Sequence, residues 1–254
     1  MKISLITGAT SGFGRAIALR FAREGYAVII TGRREDRLDA LKLELQKKYK
    51  ARIKSLAFDV RKLQAARNAL NSLPETWRKI DVLVNNAGLA AGLQPVHEGA
   101  IDDWEQMIDT NIKGLLYMIR LVAPGMAERR SGHIINIGSI AGREVYPNGN
   151  VYCGSKFAVD AISKGTRIDL VQYCIRVTQI LPGAADTEFS LVRFKGDRKR
   201  ASMVYQGFIP LTADDIAEVT WYVTTLPPRV NINELVIMPT AQANATTFFR
   251  TSPA

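Results

Sequence analysis

Apolar segments that predict strands alternate with amphipathic segments that predict helices along most of the chain. The strand segments, such as residues 27–30 and 134–137, are unbroken or nearly unbroken apolar runs. Such runs are typical of parallel strands covered by helices on both faces. We count seven of them. They predict an α/β fold: a Rossmann-like, doubly wound, mostly parallel seven-stranded sheet with helices on both faces.

The same periodicity places the element boundaries. Strands are predicted at residues 3–7, 27–30, 53–58, 82–84, 134–137, 176–180 and 235–238. Helices are predicted to end at Gly25 and to cover about 34–48, 63–73, 101–122, 151–173 and 214–226, the last capped by Thr212.

A single domain is expected over all 254 residues, because composition does not change along the chain. Residues 184–210 form the longest segment without helix or strand periodicity. Long irregular segments in compact domains are usually functional lids, so we expect a substrate lid at 184–212. Residues 240–254 are expected to form a C-terminal tail.

Composition favours a cytoplasmic globular protein. Hydrophobic residues make up 47% and charged residues 23% of the chain, and no apolar run approaches the roughly 18 residues that span a bilayer. We see no signal segment, and therefore expect no membrane partner. The two cysteines and two histidines match no disulfide framework or zinc spacing, so no metal is expected.

A formal net charge of +10 raises the question of nucleic acid as a partner. The basic residues concentrate at 42–54 and 193–200, without stacking aromatics or a recognised nucleic-acid-binding motif. We therefore expect a small-molecule partner and no nucleic acid. A solvated helix face explains the first basic stretch.

A glycine-rich turn lies between the first predicted strand and helix. Glycines at this position let the backbone approach a pyrophosphate, which the helix N-terminus then stabilises. Because the turn lies at the start of a predicted β-α-β unit, it predicts a dinucleotide-binding site. Its candidate residues are Gly8, Thr10, Ser11, Gly12, Phe13 and Gly14.

Arg33 and Arg34 follow the second predicted strand, where the adenosine ribose of a dinucleotide is expected. A carboxylate there would bind the free 2′-hydroxyl of NAD, whereas guanidinium groups suit a 2′-phosphate. The two arginines therefore favour NADP as the cofactor.

Ser139, Tyr152 and Lys156 are the candidate catalytic residues. Tyr152 and Lys156 are one helical turn apart and project from one helix face. Ser139 follows a strand at the carboxyl edge of the sheet, where open α/β sheets bind ligands. The segment 85–88 and the pair Pro182-Gly183 also follow predicted strands. With these motifs and the glycine-rich turn present, a chance occurrence of the Ser139, Tyr152 and Lys156 pattern is implausible.

With these motifs the sequence resembles the short-chain dehydrogenase/reductase family over essentially its whole length. The resemblance implies that Tyr152 is the acid/base, that Ser139 holds the substrate oxygen and that Lys156 also binds the nicotinamide ribose. Asn111 resembles the active-site asparagine that supports a proton-relay water. The implied further cofactor contacts are Asp59 and Val60 at the adenine, Asn86, Ala87 and Gly88 beside the ribose, Pro182 and Gly183, and Thr187 at the nicotinamide amide.

Acid/base catalysis near neutral pH requires the tyrosine pKa to fall from about 10 by roughly three units, or about 4 kcal/mol. An ammonium group about 4 Å away supplies that energy at an effective dielectric constant near 20. We therefore expect Lys156 to lower the pKa of Tyr152.

Within the family, the sequence is similar to the NADP-dependent 3-hydroxy acid dehydrogenases. That group oxidises serine, allo-threonine, 3-hydroxypropionate and 3-hydroxyisobutyrate, or reduces semialdehydes such as malonic semialdehyde. The similarity lies at residues 107–111, 134–142, 150–152, 187–197 and 230–233, with departures at 148–150 and 184–186.

A substrate carboxylate needs a cationic partner from the predicted lid. Arg193 and Lys195 are candidates, and Arg193 is favoured because a guanidinium can bind a carboxylate through two bonds. Surface charge alone is an equally good explanation of these two residues.

Two other functions remain open: a broad-specificity carbonyl or ketoacyl reductase, and a non-catalytic NADP-binding regulator. The family resemblance also implies a homotetramer.

Overall fold

The computed structural model describes residues 2–251, so residues 252–254 of the predicted tail lie outside the described residues. Its seven strands are β1 Ile3–Ile6, β2 Ala27–Gly32, β3 Ile53–Ala57, β4 Val82–Asn85, β5 Gly132–Ile137, β6 Ile175–Pro182 and β7 Glu234–Ile237. They form one sheet in the order β3-β2-β1-β4-β5-β6-β7, and every pair is parallel. The predicted Rossmann-like architecture is confirmed.

Helices connect the strands. They are α1 Gly12–Arg23, α2 Glu35–Tyr49, α3 Leu63–Asn71, α4 Glu75–Arg78, α5 Ile101–Ile108, α6 Leu115–Glu128, α7 Asn150–Leu170, α8 Glu188–Arg193, α9 Arg198–Met203 and α10 Ala213–Thr225. A π-helical turn, Asp109–Gly114, joins α5 to α6, and short 3-10 turns occur at Val96–Glu98, Ile140–Gly142 and Val171–Tyr173.

Two apolar layers enclose the sheet. Ile6 of β1 packs in the layer that holds α1, α2 and α10, whereas its neighbour Leu5 packs in the layer that holds α3, α4 and α6. Because successive residues of a strand face opposite sides of the sheet, a strand with helices packed on both faces must be apolar throughout. Helix α10 begins with the predicted cap: Thr212 and Asp215 form a reciprocal capping box.

Two element predictions were wrong. The helix predicted over 101–122 is interrupted by the π-helical turn and continues to Glu128, past Pro124. Residues 184–210, predicted to be irregular, contain α8 and α9. Thr187 and Asp197 cap these helices by accepting hydrogen bonds from the backbone N–H of Phe189 and Arg200. Each helix is only 6 residues long, too short to show a 3.6-residue apolar period.

The sheet order creates a crevice at the carboxyl ends of β1 and β4. These strands are neighbours, but the chain leaves β1 toward β2 and leaves β4 toward β5, in opposite directions along the sheet. Ligands of open α/β sheets bind where the direction of winding reverses in this way.

Membrane-spanning helices, possible metal ligands and the two cysteines can be examined in the same structure. Across residues 2–251, no helix has the length and apolar character needed to cross a membrane. That same part of the chain holds no group of three or more His, Cys, Asp or Glu side chains suited to a metal. Cys153 is buried, Cys174 is exposed, and both are free thiols.

Candidate active site

The glycine-rich turn leaves bare backbone at the start of α1. Gly8 has a φ of +66°, and a Cβ added to it would lie 2.9 Å from Cα of Ala87. A Cβ on Gly14 would overlap the carbonyl oxygen of Gly8. Side chains are therefore excluded at both positions, and the N-terminal N–H groups of α1 face the crevice unobstructed, as an anion requires.

A cleft of about 470 Å³ opens from this turn across the carboxyl ends of the strands. Two predicted site residues, Gly14 and Asn111, do not line it. The predicted residues that do are Gly8, Thr10, Ser11, Gly12, Phe13, Arg33, Arg34, Asp59, Val60, Asn86, Ala87, Gly88, Ser139, Tyr152, Lys156, Pro182, Gly183, Thr187 and Arg193.

Arg34 lies at the N-cap of α2 and points toward the glycine-rich turn. Its guanidinium donates to the hydroxyls of Thr10 and Ser11, with distances of 2.8 Å and 3.1 Å from Nη2. It also lies 3.3 Å from the carboxylate of Glu188. Arg33 lines the same end of the cleft. This end can therefore bind a phosphate group attached to the adenosine ribose.

Asp59 lines the cleft beside these arginines. Its carboxylate accepts hydrogen bonds from Nε and Nη2 of Arg61, at 2.9 Å and 2.6 Å. Burial raises the pKa of Asp59, but the hydrogen bonds and charge of Arg61 outweigh it and bring the pKa below its ordinary value. Asp59 is therefore ionised at neutral pH.

Ser139 and Tyr152 meet at the other end of the cleft. Ser139 follows β5 and caps the next turn, accepting a hydrogen bond of 3.1 Å from the N–H of Ala141. Its hydroxyl is also within hydrogen-bonding reach of the Tyr152 phenol, which lies in the first turn of α7. A substrate oxygen placed there meets two hydroxyl groups.

The pKa of Tyr152 differs from the sequence-based expectation. Burial raises it above its ordinary value, with a further increase from Tyr146, whereas the charge of Arg193 and the hydrogen bond from Ser139 lower it. The charge that lowers this pKa is that of Arg193 and not, as we had expected, that of Lys156; Nζ of Lys156 lies 5.9 Å from the Tyr152 ring centre. The phenol is protonated at neutral pH.

Lys156 is buried one helical turn after Tyr152. Its Nζ donates a hydrogen bond of 3.1 Å to the carbonyl oxygen of Ile137, at the end of β5. Burial alone lowers the pKa of the ammonium group from 10.5 to about 8. The bond to Ile137 directs the side chain into the cleft that it lines.

Asn111 lies in the π-helical turn, behind the cleft wall. Its side chain accepts from the N–H of Leu89 and donates to the carbonyl of Leu89 and to the hydroxyl of Ser155, all at 2.9 Å. A Cβ on Gly88 would lie 3.2 Å from Oδ1 of Asn111 and 3.6 Å from Nζ of Lys156. Asn111 thus lies near Lys156, and its support of a relay water stays a prediction.

Arg193 ends α8 and lies directly over Tyr152, the candidate acid/base. Its guanidinium carbon is 4.9 Å from the Tyr152 ring centre and 5.1 Å from that of Phe189. Nη2 donates to the hydroxyl of Tyr146 at 2.5 Å, and the buried Nε has no hydrogen-bond partner within the described part of the chain. Lys195 instead pairs with Asp103 at 3.0 Å, outside the cleft.

The family model described as short chain dehydrogenase matches residues 2–196. The chain belongs to the short-chain dehydrogenase family. This confirms the resemblance carried by the glycine-rich turn and by Ser139, Tyr152 and Lys156.

Three known proteins are similar to this short-chain dehydrogenase over nearly their whole length. The chain is 52% identical over 244 residues to the NADP-dependent 3-hydroxy acid dehydrogenase YdfG of Salmonella typhi, covering 96% of this chain and 97% of that protein. It is 47% identical over 242 residues to sulfoacetaldehyde reductase 2 of Chromohalobacter salexigens, with 95% of each chain covered. A closed form of serine dehydrogenase complexed with NADP⁺ matches with a TM-score of 0.91 and 50% identity, covering 98% of this chain and 100% of that one.

Sequence reasoning missed two residues of this short-chain dehydrogenase site. Tyr146 holds the guanidinium of Arg193, and Glu188 holds that of Arg34. Glu188 directly follows the predicted contact Thr187, so its position in the sequence could have drawn attention to it. Tyr146 lies in a loop before α7 with no periodic or motif signal.

Proposed function

We propose that this short-chain dehydrogenase transfers a hydride between NADP and the hydroxyl-bearing carbon of small 3-hydroxy acids. Candidate substrates for oxidation are serine, allo-threonine, 3-hydroxypropionate and 3-hydroxyisobutyrate. In the reverse direction, malonic semialdehyde is a candidate substrate for reduction. The observation that carries the proposal is the Arg193 guanidinium, 4.9 Å above the Tyr152 ring with an unpartnered Nε among residues 2–251.

The cleft fits NADP. Bare backbone at Gly8 and Gly14 admits the pyrophosphate, and Arg33 and Arg34 offer guanidinium groups to a 2′-phosphate. The NADP-dependent relatives support this choice of cofactor. When bound, NADP supplies or accepts the hydride at its nicotinamide ring.

Tyr152 and Ser139 act on the substrate oxygen. Ser139 donates a hydrogen bond that holds the oxygen, and the protonated phenol of Tyr152 gives its proton to the oxygen when a carbonyl is reduced. Oxidation of the alcohol requires the reverse transfer, from the substrate hydroxyl to the phenolate. Because burial raises the pKa of Tyr152, the phenol is protonated at neutral pH and is present as the proton donor that carbonyl reduction needs, whereas oxidation needs the phenol to lose its proton first.

Arg193 binds the substrate carboxylate. Its guanidinium is held by the hydroxyl of Tyr146 and lines the cleft over Tyr152, where it can donate to a carboxylate oxygen. Lys195 pairs with Asp103 and does not line the cleft, which favours Arg193 for this role. Residues 184–212, which include Arg193, would form a lid over the substrate. The whole chain would form a single domain.

Three alternative functions could use this cleft. A sulfonate is also a small anion, and the 47% identical Chromohalobacter relative is a sulfoacetaldehyde reductase, so a sulfonated aldehyde is the second candidate substrate. A broad carbonyl or ketoacyl reductase would not need Arg193. A non-catalytic NADP-binding regulator would not need Ser139 and Tyr152 to meet in the cleft.

Arg193→Ala tests the proposal directly. Loss of one partner of a desolvated, hydrogen-bonded charge pair costs about 2 to 5 kcal/mol, against about 0 to 1 kcal/mol for an exposed pair. The KM for 3-hydroxy acids should therefore rise more than about tenfold, while the KM for uncharged alcohols or ketones changes little. Lys195→Ala, on the same segment, is the matched control. Equal effects of Arg193→Ala on charged and uncharged substrates would contradict the carboxylate role.

A further inference from the structure

Helix α8 connects the two ends of the cleft. Its first residue, Glu188, faces the arginines at the adenosine end, and its last residue, Arg193, lies over Tyr152 at the catalytic end. The helix is 6 residues long, about 9 Å at 1.5 Å per residue. Whatever holds Glu188 therefore also determines where Arg193 lies.

Glu188 forms two ion pairs with the start of α2. Its Oε1 accepts from Nη1 of Arg37 at 2.8 Å, and its Oε2 accepts from Nη1 of Arg34 at 3.3 Å. Burial raises the pKa of Glu188, but the hydrogen bond and charge of Arg37 and the charge of Arg34 outweigh it and lower the pKa. The carboxylate is therefore ionised at neutral pH and attaches the lid to α2.

Arg34 is shared between the lid and the cofactor end of the cleft. It donates to Thr10 and Ser11 of the glycine-rich turn and lines the cleft beside Arg33. Arg37 does not line the cleft. The proposed function requires Arg34 to bind the 2′-phosphate of NADP. The phosphate and the Glu188 carboxylate would then be two anions in contact with the same guanidinium group.

We propose that Glu188 is a positioning residue with two effects. Its ion pairs with Arg37 and Arg34 hold α8 across the cleft, which keeps Arg193 over Tyr152. Its carboxylate also competes with the cofactor's 2′-phosphate for Arg34 and so lowers the preference for NADP over NAD. The second effect rests on the proposed function, because it requires the 2′-phosphate at Arg34.

The variant Glu188→Gln removes the charge and keeps the shape of the side chain. Calorimetry would give the dissociation constants of NADP and NAD in the absence of substrate. The ratio of the two constants cancels any loosening of the lid that affects both cofactors equally. It should shift about threefold to fivefold toward NADP, the range expected for one partly exposed charge interaction.

The position of the lid is measured separately. With saturating NADP, limited proteolysis within residues 184–212 should be several-fold faster in Glu188→Gln than in the wild type, and the KM for 3-hydroxy acids should rise. Arg37→Gln should accelerate proteolysis similarly, and the double variant should add little to either single change. Glu44→Gln is the control: its side chain is 38% exposed and pairs with Arg15, as Glu188, 41% exposed, pairs with Arg37.

Either of two results would overturn this inference. An unchanged ratio of dissociation constants would show that Glu188 does not compete for Arg34, and unchanged proteolysis would show that it does not hold the lid. Both measurements are made without turnover, so they remain valid if 3-hydroxy acids are not the substrates. Melting temperatures identify a variant that has lost its fold. Exchange of Glu188 for Asp, which keeps the charge, should leave the ratio near the wild-type value.

Discussion

Replacement of Lys156 by methionine should abolish turnover and yet stabilise the fold at neutral pH. Lys156 is 7% exposed, and burial lowers the pKa of its ammonium group from 10.5 to about 8. This difference corresponds to about 3 kcal/mol that the folded state loses by burying the charge. Methionine has a similar length and carries no charge, so it avoids this cost.

The pH dependence isolates the charge from other effects of the substitution. Methionine also loses the hydrogen bond from Nζ to the carbonyl of Ile137, worth about 1 kcal/mol, but that loss is nearly the same at every pH. Below pH 8 the lysine is charged in both the folded and unfolded states, so the wild type bears the full cost. Between about pH 8 and 10.5 the folded protein binds fewer protons than the unfolded chain, so wild-type stability rises relative to the variant.

Urea unfolding at two pH values measures the effect. The free energy of unfolding of Lys156→Met minus that of the wild type should be positive at pH 7 and smaller by about 2 kcal/mol at pH 9.5. Lys164→Met, on the same helix but 45% exposed, controls for the loss of a lysine as such. A difference between Lys156→Met and wild type that is the same at both pH values would refute the assignment of a buried, destabilised ammonium.

Three further predictions concern catalysis, cofactor choice and assembly. Tyr152→Phe should lower kcat by at least about 100-fold with nearly unchanged NADP binding, since only the proton-transfer group is lost; comparable kcat in the purified variant would contradict its role. Replacing Arg33 and Arg34 together should lower the efficiency ratio of NADP over NAD by at least about tenfold, and an unchanged ratio would place the phosphate elsewhere. Light scattering at micromolar concentration should show an oligomer, which we expect to be a tetramer, and a monomer would contradict the prediction.

Few apolar side chains of α6 are free to contact a second copy of the chain. Leu115, Met118 and Val122 are buried in the chain's own core. Leu116 remains exposed, as do Phe157 and Ile168 of α7. A helix with apolar residues all round cannot be divided into core and interface faces from sequence alone, because that division depends on what packs against it.

Sequence patterns were sufficient for the sheet and for the residues that meet at its edge. Strands covered on both faces must be apolar, and parallel strands place their carboxyl ends together, so Ser139 could be placed at the ligand-binding edge from the sequence. That Tyr152 meets it there was implied by the family resemblance. The glycine-rich turn was equally predictable, since Gly8 must adopt a positive φ and approach Ala87 closely.

The parts that could not be predicted depend on tertiary contacts. Arg34 was assigned from its place after β2, but its ion pair with Glu188 joins residues 154 positions apart. The effect of Lys156 on Tyr152 was estimated from an assumed distance, and burial of the phenol reverses the sign of the pKa change. Helices α8 and α9 were missed because their caps, rather than an apolar period, define them.

Turnover of a substrate panel tests the central claim most directly. The absorbance of reduced NADP would be followed with serine, allo-threonine, 3-hydroxypropionate and 3-hydroxyisobutyrate, beside secondary alcohols of similar size and, in the reverse direction, malonic semialdehyde and sulfoacetaldehyde. Activity with NADP on the carboxylates, and little on the uncharged alcohols, is the predicted result. Equal or greater activity on uncharged alcohols, or efficient reduction of sulfoacetaldehyde with none on the 3-hydroxy acids, would contradict a 3-hydroxy acid dehydrogenase.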